Sequence, residues 1–246
     1  MLIESLQQYR SRIIESFREA TEFRAITELS FIYANEYVSE HKKDIQITLA
    51  HSSYGKHLGI ADQKLNGSNL PKHLGKAAEH FFPFVHQHHV SLFEHLFFDL
   101  LRIILLDQPE SLSRKKQIDY AIILEAESKA DIIWKLIDRE LNEIKYKNIG
   151  EWFTYLYKLV SIPQLSKDDI EQISEAKASR DILVHNGGIV NQLYIQKSGK
   201  AARFKEGESV DISRDYISDI WDIFSRVLLS MTDAIIEKHS HKIGDA

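Results

Sequence analysis

Residues that stop helices are scarce in this chain and bunched together. Four prolines and ten glycines serve 246 residues, and residues 3–40 contain neither. Along that stretch Leu6, Ile13, Phe17, Ala20, Phe23, Ile26 and Leu29 recur mostly at steps of three and four. A run so long and so periodic reads as one amphipathic helix, or two joined helices, with a broad apolar face.

The rhythm fails over residues 51–75, where Gly, Ser, Asn and Pro gather. This segment reads as a long loop, and a soft domain boundary falls near residue 80. The expected division is therefore an N-terminal helical region, 1–80, and a helical domain, 81–246. After Pro83 the helical signal returns, with Val90, Phe93, Phe97, Leu100, Leu101 and Ile104 on one face and Pro109 as its stop. Residues 111–127, 129–145 and 150–161 read as further helices. Ser166, three positions before Asp169, has the chemistry of a helix start: its side chain caps free N–H groups and an acid follows in the first turn. That helix runs to about His185, where Asn186-Gly187-Gly188 supplies a left-handed stop. Residues 189–196 and 202–212 turn to strand-like composition around Lys197–Lys200, which suggests a small β-hairpin excursion near 189–212. A last helix opens at Ser213. The fold class expected is all-α.

Composition narrows the function classes. Hydrophobic residues at 43% and charged residues at 27% are those of a globular domain. Net charge is −5, so no global basic field draws the chain to nucleic acid, and any such contact must be local. The absence of cysteine removes disulfides and thiolate chemistry and fits a cytoplasmic setting. The N-terminal residues lack the apolar core of a signal peptide. The most apolar stretch, Val90–Leu106, is broken by Glu94, His95, Asp99 and Arg102, so no membrane contact is expected.

Four sites of chemistry come into view. His80, His86, His88, His89 and His95 cluster, but no acidic residue joins them at a recognised metal spacing, so they read as capping or hydrogen-bonding histidines and neither metal nor cofactor is expected. There is no phosphate-loop motif: Gly187-Gly188 follows a helix where such a loop must precede one. The serine-hydrolase elbow G-x-S-x-G is likewise missing. The fourth is Arg180 with His185: no other arginine in the chain is followed by a histidine at a spacing of five to seven. It lies at a helix C-terminus, whose partial negative charge a protonated imidazole complements. Arginine adds a planar fork suited to phosphate. Metal-free RNA cleavage needs such parts: proton transfer at the ribose 2′-OH and leaving oxygen, and a cation for the phosphorane. A five-residue step turns an ideal helix by roughly 500°, leaving the two side chains about 140° apart. They would meet if the helix end unwinds or if a second subunit in a two-fold dimer contributes.

The segment Arg180-Asp181-Ile182-Leu183-Val184-His185 resembles the R-x4-6-H motif of the HEPN superfamily. The Asn-Gly-Gly-Ile-Val that follows is similar to the downstream pattern of bacterial HEPN groups, and the helix bearing SLFEHLFFDLLRIIL is similar to their first long helix. The resemblance covers roughly residues 81–240. It implies a HEPN-like helical bundle and a metal-independent endoribonuclease acting as a homodimer on RNA, in toxin–antitoxin pairs or antiviral defence, with an antitoxin or inhibitor protein as a partner class. It also implies roles: Arg180 stabilises phosphate charge, His185 handles protons, Asp181 positions Arg180 or the RNA, and Asn186 is a hydrogen-bonding neighbour. One toxin subgroup carries tyrosine two residues after the histidine, where this chain has Gly187. The alternative is a catalytically silent HEPN-like module that binds RNA or protein.

Overall fold

The computed structural model describes residues 2–42, 45–48, 64–112 and 120–244. The protein is all-α. Helices α1 (Leu2–Glu40) and α2 (Leu70–Asp107) are followed by α3 (Tyr120–Leu124), α4 (Lys129–Lys145), α5 (Ile149–Leu159), α6 (Lys167–His185), α7 (Gln192–Ser198) and α8 (Arg214–Gly244). Strands β1 (Gln46–Thr48) and β2 (Lys64–Asn66) pair antiparallel, with Ile47 opposite Leu65. Among the described residues, no helix is long and apolar enough to cross a membrane.

Two compact units emerge: residues 1–17 with 86–246, and residues 18–85. The expected boundary at residue 80 lies near one of these divisions, but the first seventeen residues belong to the larger unit. The physical reason is burial. Leu6 and Ile13 have no solvent exposure, and the Tyr9 hydroxyl donates to the Leu96 carbonyl at 2.6 Å. The larger core is aromatic. Phe93 stacks on Phe224 with ring centroids 4.4 Å apart, and Phe97 meets Phe153 edge-on at 5.2 Å. Such ring pairs add to the area term that drives burial. The smaller unit has a modest core of Val38, Leu65 and Leu70, against which Ile45 and Leu74 pack.

Four expectations need correction. Helix α2 starts at Leu70 and passes through Pro83, rather than starting after it. Proline removes one N–H from the ladder, and the surrounding turns carry the helix past it. The loop expected over 51–75 is only partly described: residues 49–63 lie outside the described residues, and β2 and the start of α2 occupy the rest. Of the helix expected over 111–127, residues 113–119 lie outside the described residues. A 3-10 turn at Pro109–Ser111 and the short α3 flank that gap.

The fourth correction is the hairpin near 189–212. Residues Gln192–Ser198 are helical, and the flanking extended residues form a single bridge, Ile189 with Ser209. The Asn191 side chain caps α7 by accepting from the Tyr194 N–H at 3.0 Å. That helix carries the Tyr194 ring into the core, where its hydroxyl donates to Glu175 at 2.7 Å. Tertiary contacts outweigh local strand propensity here.

Candidate functional site

Helix α6 carries the pair picked out by spacing, and local chemistry sets both its ends. The Ser166 side chain accepts from the Asp169 N–H at 3.0 Å, as its sequence position predicts. Asp169 then receives both guanidinium nitrogens of Arg226, at 2.6 and 3.2 Å, and this hydrogen bonding holds its carboxyl below the usual range. At the other end, the N–H groups of Asn186 and Gly188 both return to the Ile182 carbonyl. Gly187 and Gly188 take φ of +60° and +81°, the left-handed conformation that glycine adopts without strain.

The inner face of α6 is pinned by a buried carboxylate. Glu175 accepts from Ser179 at 2.6 Å, Tyr194 at 2.7 Å, Arg203 at 3.0 Å and Tyr216 at 2.6 Å. The Arg203 guanidinium also stacks over the Tyr216 ring at 3.5 Å. Burial, and then the Glu175 charge, push the Tyr216 hydroxyl far above its ordinary range, so it stays a donor. One charge with four donors therefore ties α6 to the 189–212 segment and to α8.

The outer face opens onto a cleft of about 560 Å³, lined by Arg180, Asp181 and His185 together with Glu94 of α2 and Lys197 of α7. Lys177, Asp181 and His185 follow at four-residue steps and so share one row of the helix. Arg180 lies to the side of that row, but its long side chain reaches across. One terminal nitrogen donates to Glu94 at 2.5 Å and the other to Asp181 at 3.2 Å. Neither unwinding nor a partner is needed to bring Arg180 and His185 to one cleft. Among the described residues, no hydrogen bond joins them.

The charges alternate. Glu94 also binds the Lys177 ammonium at 2.7 Å, and Asp181 binds Lys197 at 3.1 Å. Glu94 is almost fully buried, and Arg180 and Lys177 are each more than four-fifths buried. In such a setting charge-assisted bonds hold side chains in one geometry. Lys145 and Lys147 extend the cationic wall, so the cleft presents five Lys or Arg side chains against two carboxylates. In a chain of net charge −5 that concentration is the local basic field an anion requires.

Asn186 is not part of the cleft wall; its side-chain amide donates to the Ile189 carbonyl and serves the helix end. The histidines of α2 disperse. His86 donates from Nε2 to the Ala176 carbonyl at 2.9 Å, His89 stacks on Trp221 at 3.7 Å, and His95 meets Asp99 at 3.4 Å. His80 and His88 are exposed. Among the described residues no three His, Asp or Glu side chains could hold a metal ion.

Spacing alone did not point to Lys177, Lys145, Lys147 or Lys197. The four-residue row through Asp181 is a signal that could have found Lys177. Lys197 had none, because its place depends on α7. No family model, no curated protein and no solved structure matches this chain.

Proposed function

We propose that the protein is a metal-independent endoribonuclease of the HEPN type, cleaving RNA at this cleft. The observation that carries the reading is that Arg180, Asp181 and His185 line one cation-rich depression on the outer face of α6. The ribose 2′-oxygen attacks the adjacent phosphorus, the bond from phosphorus to the 5′-oxygen breaks, and the products are a 2′,3′-cyclic phosphate and a free 5′-hydroxyl. His185 moves a proton in this exchange, while Arg180 and Lys177 face the charge that gathers on the phosphorane. Asp181 is a positioning residue for Arg180 and Lys197. Two protons move, and a two-fold dimer with apposed clefts supplies the second histidine. The accompanying biology is that of a cytoplasmic toxin or antiphage effector restrained by an antitoxin or inhibitor protein.

The test is incubation of wild-type, Arg180→Ala and His185→Ala protein with mixed RNA in EDTA. Cyclic-phosphate ends from the wild type alone support the reading. No cleavage by the wild type, or equal cleavage by His185→Ala, overturns it. One observation favours a silent binding module instead: both terminal nitrogens of Arg180 already hold carboxylates. RNA binding without cleavage is the result that selects it.

A further inference from the structure

The cleft at Arg180 does not end there. A second depression of about 430 Å³ shares Glu94, Asn142, Lys145 and Arg180 with it. A third, of about 530 Å³, shares Asp99 and Arg102 with the second. The three adjoin as one groove: the second lies between α2 and α4, and the third is walled by α1 and α2 with Trp134 of α4 at its side. The α4 wall explains the continuity: Trp134, Asp138, Asn142 and Lys145 follow at steps of three and four and so share a face. On α2, Glu94, Asp99 and Arg102 run the other way along the floor. From Lys145 to Trp134 is eleven residues, or roughly 16 Å of helix.

Charge and aromatic surface are distributed along that length. Among the described residues, the groove walls hold seven Lys or Arg side chains against four carboxylates, Asp138 included. Asp99 is matched by Arg12 at 2.8 Å, and Arg102 pairs with Asp138. Each end has an exposed ring. Tyr146, 93% exposed, stands between Lys145 and Lys147 at the near end. At the far end Trp134, 44% exposed, lies beneath the Arg102 guanidinium at 5.1 Å.

A cationic track with aromatic rings at intervals is what a single-stranded polynucleotide requires. Phosphates follow the cations, and unstacked bases lie on the rings, whose faces accept any base. A duplex keeps its bases stacked on one another and has no use for exposed rings. We propose that the groove between α2 and α4 binds single-stranded RNA running from the Arg180 cleft to a distal subsite formed by Arg102 and Trp134, with Tyr146 as the near base platform. At the strand spacing of roughly 3.4 Å per phosphate, about five phosphates cover the distance, and fewer if the strand is extended. This rests on the reading of the Arg180 cleft as an RNA site, but it concerns binding and is measured without cleavage.

The probe is a non-cleavable 2′-O-methyl oligonucleotide of about ten residues, compared with its dinucleotide, its duplex and an acidic peptide of equal charge. Trp152 and Trp221 are 0% and 6% exposed, so a change in tryptophan emission on binding reports Trp134. The ten-mer should change that emission and bind at least about tenfold more tightly than the dinucleotide or the duplex. The emission change should vanish in Trp134→Phe, and Arg102→Ala should remove most of the ten-mer's advantage over the dinucleotide. Three results would overturn the groove: ten-mer and dinucleotide binding alike, unchanged emission, or preference for the duplex or the peptide. Ten-mer binding that depends on Arg102, without cleavage of ordinary RNA, keeps the groove and sinks the nuclease reading. Cleavage that depends on His185, with no length dependence, does the reverse.

Discussion

Acidification should destabilise the larger unit through one buried side chain, His86. It has no solvent exposure, and its Nε2 donates to the Ala176 carbonyl. Burial pushes its pKa down from 6.5 to about 4, against the opposing pull of that carbonyl and of Glu175, with Arg203 and Arg180 adding to the depression. The folded protein therefore keeps this imidazole neutral in a range where the unfolded chain protonates it. The unfolded state binds more protons between about pH 4 and 6.5, so stability rises with pH in that window and is flat above it. With one pKa unit equivalent to about 1.4 kcal/mol, moving from pH ~7 to pH ~5 removes roughly 2 kcal/mol. Urea unfolding read by tryptophan emission is the assay, since Trp134, Trp152 and Trp221 all lie in the larger unit. His86→Gln keeps a donor for the Ala176 carbonyl but cannot take up a proton. It should lower stability at neutral pH and lose about 2 kcal/mol of the wild type's decline toward pH ~5. If the variant shows the wild-type slope, the neutral buried imidazole is refuted.

Other perturbations bear on the same helix. Glu94→Gln leaves Lys177 and Arg180 without their shared counter-charge. Part of one hydrogen bond survives, so a loss of about 2 kcal/mol and a melting temperature lower by about 4–8 °C are expected. A melt indistinguishable from wild type would mean that the carboxylate does not hold the two cations. Glu175→Gln places an amide donor among four donors and should cost about 3–5 kcal/mol; hydrogen exchange at α7 and the end of α6 would rise first. Exchange raised equally throughout the chain would argue against a local tie. Gly188→Ala meets only ordinary contacts, with Leu183 and Ser209 each 3.9 Å from the new carbon, so its cost is the backbone conformation alone, about 1–2 kcal/mol. Unchanged denaturant midpoints would show that this backbone conformation costs alanine little.

The parts of the fold legible in the sequence are those decided within a few residues. Ser166 caps α6 because a hydroxyl three positions before a free N–H reaches it in any context, and the glycine pair ends the helix because few other residues tolerate positive φ. Gln192–Ser198 is the opposite case. Its Leu, Tyr and Ile suit a strand, yet the Asn191 cap and the distant Glu175, which accepts from the Tyr194 hydroxyl, favour a helix that buries Tyr194. The first seventeen residues, which pack with 86–246, are a similar case. Their periodicity shows a helix, but what Leu6 and Ile13 pack against is a long-range property that no local pattern encodes.

The site shows the same division, and it turns on side-chain length. Five residues along a helix set two Cβ atoms about 140° apart, which on direction alone keeps Arg180 and His185 from sharing a cleft. Direction is a poor guide for arginine, whose guanidinium lies several bonds beyond Cβ and goes where carboxylates hold it. Glu94, from a helix 86 residues away in sequence, and Asp181, its own neighbour, draw the fork across to the row that carries His185. The histidine, short and stiff, stays where the helix puts it. A motif of this kind therefore fixes only one of its two functional groups by spacing. The other is fixed by acids, one of which no motif contains. The place to look for what tunes such a pair is accordingly the facing helix, and here that means Glu94 and the groove floor that continues from it to Arg102.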